Sequence, residues 1–471
     1  MIISNDSPSE ECGVVAVFAP GEDVAKMTFY GLFALQHRGQ ESAGISVSDR
    51  FSIKVHTAMG LVAQAFRESD LERLNGDLAI GHTRYSTTGS TDLSNAQPYV
   101  VEGLHGQLAL GHNGNLVNAG PLRSELEESG CRFNSGTDSE VIAQLLVNAP
   151  GKNWSERIRY MMGRIQGAYS LVVLTKESVI AIRDPLGVRP LCVGKLKDGW
   201  VVASESCALD HLGASLLREI GPGEAIEINE NGMKTLHVAR EQKRAPCIFE
   251  YIYFARPDSI IGGNLVYSLR QAMGAQLARE YPVDADVVIG VPDSATAAAV
   301  GYANEAGIPY SDGLLKNRYV GRTFIEPDQR MRDLGVRMKF NPLPAVLSGK
   351  RVIIVDDSIV RGTTTPHVIN LVKKAGAKEV HFRVCAPPIR HPCHLGVDMA
   401  SYRELIAANK SVEEIRQFVG ADSLGFLSVE GLIKAAGDDK SHCTGCFTGN
   451  HPIPVQLEMD KFALEVSNSL P

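Results

Sequence analysis

Three groups of residues in this chain have the types and spacing to do chemistry. The first is the carboxylate pair Asp356-Asp357, which ends the apolar run 352–355 and precedes a loop, 358–365, holding Gly362 and three threonines. Adjacent carboxylates can bind ribose hydroxyls or hold Mg²⁺ through water. The backbone N–H groups of such a loop, and of the helix start that follows, point at an anion whose charge the helix dipole favours. The second group starts at Cys12-Gly13, behind the acidic leader 1–11, and continues in four polar strings: LQHRGQESAGI at 35–45, GHTRYSTTGS at 81–90, LGHNGNLVN at 110–118 and SGTDSE at 135–140. A thiol nucleophile needs a base, and a free α-amine, with a pKa of about 7.7–8.0, is a fair one. Joined to Glu11, the nitrogen of Cys12 is an amide without basicity, which leaves open whether Cys12 is a buried strand residue or residues 1–11 exist to be removed. The third group is the C-x-x-C pair Cys443 and Cys446, with Cys247 in RAPCIFEY and Cys393 in IRHPCHLG. By spacing alone, a Cys₄ zinc site is the first reading of these.

These residues must be held by elements, and the sequence changes character once. From 12 to about 240 it reads as strands with Gly- and Asn-rich turns: YSLVVL at 169–174, SVIAIRD at 178–184 and WVVAS at 200–204. TDSEVIAQLLVNA at 137–149 reads as a helix capped by Thr137, with Glu140 three residues on. Asn-Gly at 113–114, taken alone, is an ordinary hairpin signal. Consecutive strands with separate helices suggest stacked antiparallel sheets covered by helices, an α+β arrangement. After REQKRAP the chain alternates strand and helix: ADVVIGVP at 285–292 is a buried strand, and 348–388 is one βαβ unit of a parallel sheet, an α/β arrangement. The boundary falls near 244, and the last ~70 residues read as short helices and a Gly/Cys loop.

A length of 471 residues suits two or three domains. The formal charge of −7 argues against a nucleic-acid partner, which would want a basic face. No apolar run reaches the ~18 residues of a membrane span, and the N-terminus lacks the basic and apolar regions of a secretory signal. The expectation is a cytoplasmic protein whose nine cysteines are thiols, ligands or a nucleophile rather than disulfides. Cys131, Cys192, Cys207 and Cys385 lack chemical context and read as small buried apolar residues.

VIIVDDSIVRGTTTPH at 352–367 resembles the thirteen-residue motif of type I phosphoribosyltransferases, which bind phosphoribosyl pyrophosphate (PRPP). The resemblance implies that Asp356 and Asp357 face the ribose and Mg²⁺. It implies that Ser358, Ile359, Val360, Arg361, Gly362, Thr363 and Thr364 cradle the 5′-phosphate, and that Ser294, in the turn VPDS, joins the Mg²⁺. Near such a site the segment 316–339, with seven basic residues against three acidic, reads as a lid that neutralises pyrophosphate through Lys316, Arg318 and Arg322. The strings of the first half resemble class II glutamine amidotransferases, which are N-terminal nucleophile hydrolases with a four-layer αββα sandwich. That resemblance makes Cys12 the nucleophile on the glutamine amide, freed by removal of residues 1–11 as a propeptide, and Asn113 (side chain) with the Gly114 N–H the oxyanion hole. Arg84 would pair with the substrate α-carboxylate, Asp138 would hold its α-ammonium, and Arg38 and Thr87 would support the pocket.

Both halves in this order resemble the family of glutamine-dependent PRPP amidotransferases, in the branch with a leader and an iron–sulfur cluster. The family implies residues 12–244 as the glutamine domain and 245–471 as the phosphoribosyltransferase domain, with EYIYFARPDS at 250–259 coupling the two. It implies the first committed step of purine synthesis: ammonia from glutamine is channelled to C1 of PRPP, giving 5-phosphoribosylamine, pyrophosphate and glutamate. It further implies one Mg²⁺ per subunit, one [4Fe–4S] cluster per subunit on Cys247, Cys393, Cys443 and Cys446, feedback inhibition by purine nucleotides, and a homotetramer. Two readings compete: a PRPP-responsive binding protein without turnover, and a glutaminase serving another acceptor.

Overall fold

The computed structural model describes residues 12–85, 89–239, 243–317, 339–397, 399, 401–437, 441–453 and 464. The leader 1–11, Thr87, and Arg318 and Arg322 of the basic segment lie outside the described residues.

Two antiparallel sheets stack face to face. One runs, in spatial order, Ser215–Glu219, Cys192–Lys195, Trp200–Ala203, Gly13–Phe18, Leu78–Arg84, Ser42–Ser48 and Ile53–Met59. The other runs Gly232–Val238, Glu224–Asn229, Val179–Arg183, Gly167–Leu174, Gly106–Leu116 and Tyr99–Gly103. The strand Gly13–Phe18 shows why its residues are apolar on both faces. Successive side chains point to opposite sides. Val14, Ala16 and Phe18 enter the core between the sheets with Ile80, Ala109 and Val172. Val15 and Val17 pack on the other side with Leu32 and Leu35, beneath the helix Val24–Ala34. Each such valine, buried from both directions, contributes about 1.5–3 kcal/mol. Beyond the second sheet, Leu108 and Leu110 pack under the helix Asp138–Val147 with Ile142 and Leu146. The order is helix, sheet, sheet, helix.

The later part is built on four parallel strands in the order Val287–Gly290, Arg351–Asp356, Glu379–Val384 and Ser423–Phe426. Helices cover it, including Val266–Glu280, Thr296–Ala306 and Thr365–Lys374. Val352, Ile353, Ile354 and Val355 are all fully buried, as a parallel sheet covered on both sides requires.

Two elements differ from the sequence reading. Asn113-Gly114 is no turn: it lies within the eleven-residue strand Gly106–Leu116, opposite Ser170 and Tyr169. Gly114 has φ +149°, and a Cβ there would sit 2.0 Å from the Ala168 carbonyl oxygen, so only glycine lets this strand continue. The last seventy residues also hold a strand, Ser423–Phe426, which closes the edge of the parallel sheet. No helix among the described residues is long and apolar enough to cross a membrane.

Candidate active sites

Cys12 immediately precedes the first paired residue of its strand, Gly13, which stands opposite Thr83. Its thiol is buried and donates to the Tyr85 carbonyl at 3.3 Å. Burial pushes the thiol up to about 11, against the opposing pull of the Tyr85 hydrogen bond and of Arg84. Asp138 and Glu41 also act electrostatically on it, so Cys12, Arg84 and Asp138 share one neighbourhood. Arg84 ends the strand Leu78–Arg84 and donates to the Ser90 carbonyl at 3.0 Å. Asp138 opens its helix behind the Thr137 cap, and its Oδ2 accepts the Leu116 N–H at 2.9 Å.

The strand Gly106–Leu116 runs past this point. A Cβ on Gly111 would touch Val14 and the Gly81 carbonyl, and the His112 carbonyl meets His82 Nε2 at 3.0 Å. Residues 111–114 therefore run alongside 81–84, whose strand partners run from Val15 back toward Cys12. Asn113 is buried, and its Nδ2 has no hydrogen-bond partner. A buried donor left unmatched costs about 1–3 kcal/mol, so this amide is a donor held ready for an acceptor.

Arg38 is fully buried. Its Nε donates to the Cys12 carbonyl at 3.1 Å, and its terminal nitrogens meet Glu205 at 2.5 Å and Glu250 at 2.7 Å. Burial disfavours that charge, but Glu250 and Glu205 outweigh it and hold the guanidinium firmly protonated. Arg38 thus holds the backbone of Cys12. Glu205 also accepts from His37, Ser259 and the Arg256 N–H. Glu250 begins a wide, π-helical turn, Glu250–Phe254. The far side of that turn is gripped by buried Arg270, which donates to the carbonyls of Tyr251, Tyr253 and Ala255. Arg270 in turn acts electrostatically on Asp357.

Asp356 ends its strand and Asp357 follows, both buried. Asp357 Oδ1 accepts from Ser358 Oγ at 2.6 Å, Ser294 also bonds this carboxyl, and Oδ2 is buried without a partner. Burial pushes the Asp357 carboxyl above the usual range, while Ser294, Ser358 and Arg270 oppose the shift. The helix Thr365–Lys374 begins after the loop, with Pro366 in its first turn and Gly362 at φ +71° within the loop. Ile359 and Val360 bury their side chains, so only their backbone is available to a phosphate. Arg361 is turned toward Glu404, with which it makes hydrogen bonds at 2.5 and 3.1 Å. Lys316 pairs with Asp293 at 3.0 Å. A cavity of about 280 Å³ opens between the halves, lined by His37, Arg38, Arg256, Arg270, Ser294 and Lys316.

The four cysteines of the third group come from distant segments and meet. Cys247 and Cys443 form a parallel bridge, and the Cys446 carbonyl accepts the N–H groups of Arg390 and His391. All are free thiols. Cys446 is pushed far up by burial and then by Cys443, Cys393 and Cys247. Burial raises Cys247 to about 12. Among the described residues no three ligating side chains stand close enough for a single metal ion. The loop after Cys393 docks on the glutamine side: the His394 carbonyl accepts from Asn115, the Leu395 carbonyl accepts from Arg189, and Gly396 packs on Gly114. Of the remaining thiols, Cys192, Cys207 and Cys385 are buried as expected, whereas Cys131 is half-buried beside Asn148.

The sequence reading did not single out Glu205 or Arg270, whose partners lie far away in sequence. Residues 82–211 match the glutamine amidotransferase domain family and 267–419 the phosphoribosyl transferase domain family. An amidophosphoribosyltransferase of Synechocystis sp. is 50% identical, covering 98% of this chain and 95% of that one. A solved glutamine PRPP amidotransferase of B. subtilis, complexed with ADP and GMP, superposes with a TM-score of 0.90 at 46% identity, covering 96% of this chain and all of that one. A second structure, described as the allosteric regulatory enzyme of purine biosynthesis, gives 0.92 at 45% identity, covering 98% and 100%.

Proposed function

The chain belongs to the amidophosphoribosyltransferase family, and we propose the residues by which it carries out glutamine-dependent amidotransfer to PRPP, the first step of purine biosynthesis. The proposed domain boundary is near 244, a reading that the two matched family segments, 82–211 and 267–419, support by falling on either side of it.

In the first half-reaction, removal of residues 1–11 frees the Cys12 α-amine. The amine takes the thiol proton, and Sγ attacks the glutamine side-chain carbonyl carbon. Without that amine the buried thiol, at about 11, stays protonated and inert near neutral pH. The carbonyl oxygen becomes an oxyanion, held by Asn113 Nδ2 and the Gly114 N–H. Arg84 binds the substrate α-carboxylate and Asp138 its α-ammonium. The C–N bond breaks as the proton passes to the leaving nitrogen, releasing ammonia and a thioester, which water hydrolyses to glutamate. Arg38 fixes the Cys12 carbonyl throughout. In the second half-reaction ammonia crosses to C1 of PRPP and displaces pyrophosphate, the Ser358–Thr364 loop having bound the 5′-phosphate and Lys316, with Arg318 and Arg322, the pyrophosphate.

The single observation that carries the glutamine assignment is the buried, unpartnered Asn113 amide on the strand that runs beside Cys12. The test is Cys12→Ala, which should abolish glutamine-dependent synthesis and leave ammonia-dependent synthesis intact. Intact mass of the active enzyme should start at Cys-Gly-Val-Val. Loss of both activities, or an active enzyme that retains Met1, would refute it.

The residues fit a Mg²⁺ ion: Asp357 Oδ2 is a buried acceptor without a donor, and Asp356 and Ser294 complete an oxygen set. Bound there, the cation would neutralise charge gathering on the leaving pyrophosphate. The thiols fit a [4Fe–4S] cluster in number and kind: four free, half-buried cysteines from distant segments, close enough to act on one another electrostatically. Cys247, Cys393, Cys443 and Cys446 would hold it as a cross-link that pins the C-terminal segment to the junction. The relative complexed with ADP and GMP supports purine nucleotides as feedback inhibitors here. A homotetramer in the cytoplasm completes the proposal.

A further inference from the structure

Residues 394–396, carried by the second half of the chain, touch the glutamine site at the peptide proposed for the oxyanion hole. On the strand Gly106–Leu116 the His112 N–H goes to Gln97 Oε1 at 2.9 Å and the Leu116 N–H to Asp138 Oδ2 at 2.9 Å. Backbone groups two residues apart on a strand turn the same way. The Gly114 N–H, between these two, therefore faces the side on which Asp138 stands. The other edge is taken by pairing with Gly167–Leu174. Pairing with Tyr99–Gly103 ends at Leu110, so residues 111–116 are braced by a neighbouring strand on one edge only.

The loop supplies what that missing neighbour does not. Asn115 Nδ2 donates to the His394 carbonyl at 3.1 Å, across 279 residues of sequence. The Leu395 carbonyl accepts from Nε of fully buried Arg189 at 3.1 Å. The carbonyl of Arg189 accepts in turn from Ser170 Oγ at 3.2 Å, and Ser170 is the strand partner of Asn113. The Leu395 side chain is buried in one cluster with Ala168, the strand partner of Asn115. Gly396, at φ +107°, lies against Gly114: a Cβ on Gly396 would stand 3.2 Å from the Gly114 carbonyl carbon and 3.3 Å from its Cα. The two glycines thus meet backbone to backbone.

We infer that His394, Leu395 and Gly396 are positioning residues that fix the Gly114 peptide for glutamine hydrolysis, so that the oxyanion hole is assembled from both halves of the chain. This rests on Asn113 and the Gly114 N–H as the oxyanion donors. Such a donor acts only while it is held in place, and a misplacement of about 1 Å costs about 10²-fold in rate. Asn115→Ala removes the hydrogen bond to His394. Gly396→Ala adds a Cβ whose neighbours are the Gly114 backbone and, at 3.0 Å, Arg189 Nη2, in a backbone conformation that suits glycine. Its relief must come from displacing Gly114 or the loop.

The test measures glutamine and ammonia kinetics in Asn115→Ala and Gly396→Ala, with Asn113→Ala alongside. In the first two, kcat with glutamine should fall about tenfold to a hundredfold, while KM for glutamine and the ammonia-dependent rate stay as in the wild type. Alkylation of Cys12 by iodoacetamide, which needs no oxyanion hole, should proceed at the wild-type rate. An unchanged kcat in both variants, while Asn113→Ala lowers it, overturns the positioning role and leaves the oxyanion hole standing. An unchanged kcat in Asn113→Ala overturns the oxyanion hole and the positioning role together. Loss of the ammonia-dependent rate or of alkylation in Asn115→Ala would assign the contact to folding and overturn the inference.

Discussion

Replacing Asn113 by alanine should separate stability from catalysis in opposite directions. The side chain is 1% exposed and its Nδ2 has no partner. In the resting protein that donor is a liability of about 1–3 kcal/mol. Its removal loses little packing, so the thermal midpoint should hold or rise by about a few degrees. In the proposed transition state the same amide would meet the developing oxyanion, where one such donor is worth about 2.7–4 kcal/mol, a factor of about 10²–10³. The assay is glutamate release and phosphoribosylamine synthesis with glutamine, next to synthesis with ammonium salts and a melting curve. The expected result is a glutamine-dependent kcat reduced by about two to three orders of magnitude, an unchanged ammonia-dependent rate, and no loss of melting temperature. A fall of less than about tenfold would refute the oxyanion role. A melting temperature lowered together with both activities would show that the amide has a structural partner.

Three further outcomes follow from the other sites. Asp357→Asn should impair PRPP use with either nitrogen source. Because burial raises the folded-state pKa of this carboxyl, its ionised form costs stability above the ordinary carboxylate range. The metal-free wild type should therefore gain stability as pH falls toward that range, and a melting series from pH 8 to 5 in chelator should show this slope reduced in Asp357→Asn. Iron and acid-labile sulfide analysis should find about four of each per chain; a colourless, zinc-loaded protein would exclude the cluster.

How much of this was legible in the sequence depended on how local the signal was. The Asp356-Asp357 site is spelled out by an apolar strand, a polar loop and a helix start within sixteen residues, and the fold delivers each where expected. Asn113-Gly114 follows the opposite rule. Locally it is a turn signal, but pairing with Gly167–Leu174 carries the strand straight through it, and glycine serves a close approach to Ala168 rather than a reversal. The strand Ser423–Phe426 is too short and mixed to announce itself, and exists because Glu379–Val384 offers it an edge. Arg38 carried a motif but not its role. The role depends on Glu205 and Glu250, at separations of 167 and 212 residues, which no window along the chain could reveal.

The turn Glu250–Phe254 is held at one end by Arg38, which also holds the Cys12 carbonyl, and along its carbonyls by Arg270, which faces Asp357. Its consequence is a constraint on how such an enzyme can evolve. A substitution that shifts this turn would displace, in the same step, the arginine that holds the Cys12 carbonyl and the one that acts on Asp357. If the proposed roles hold, a change at this turn would be felt by both half-reactions at once.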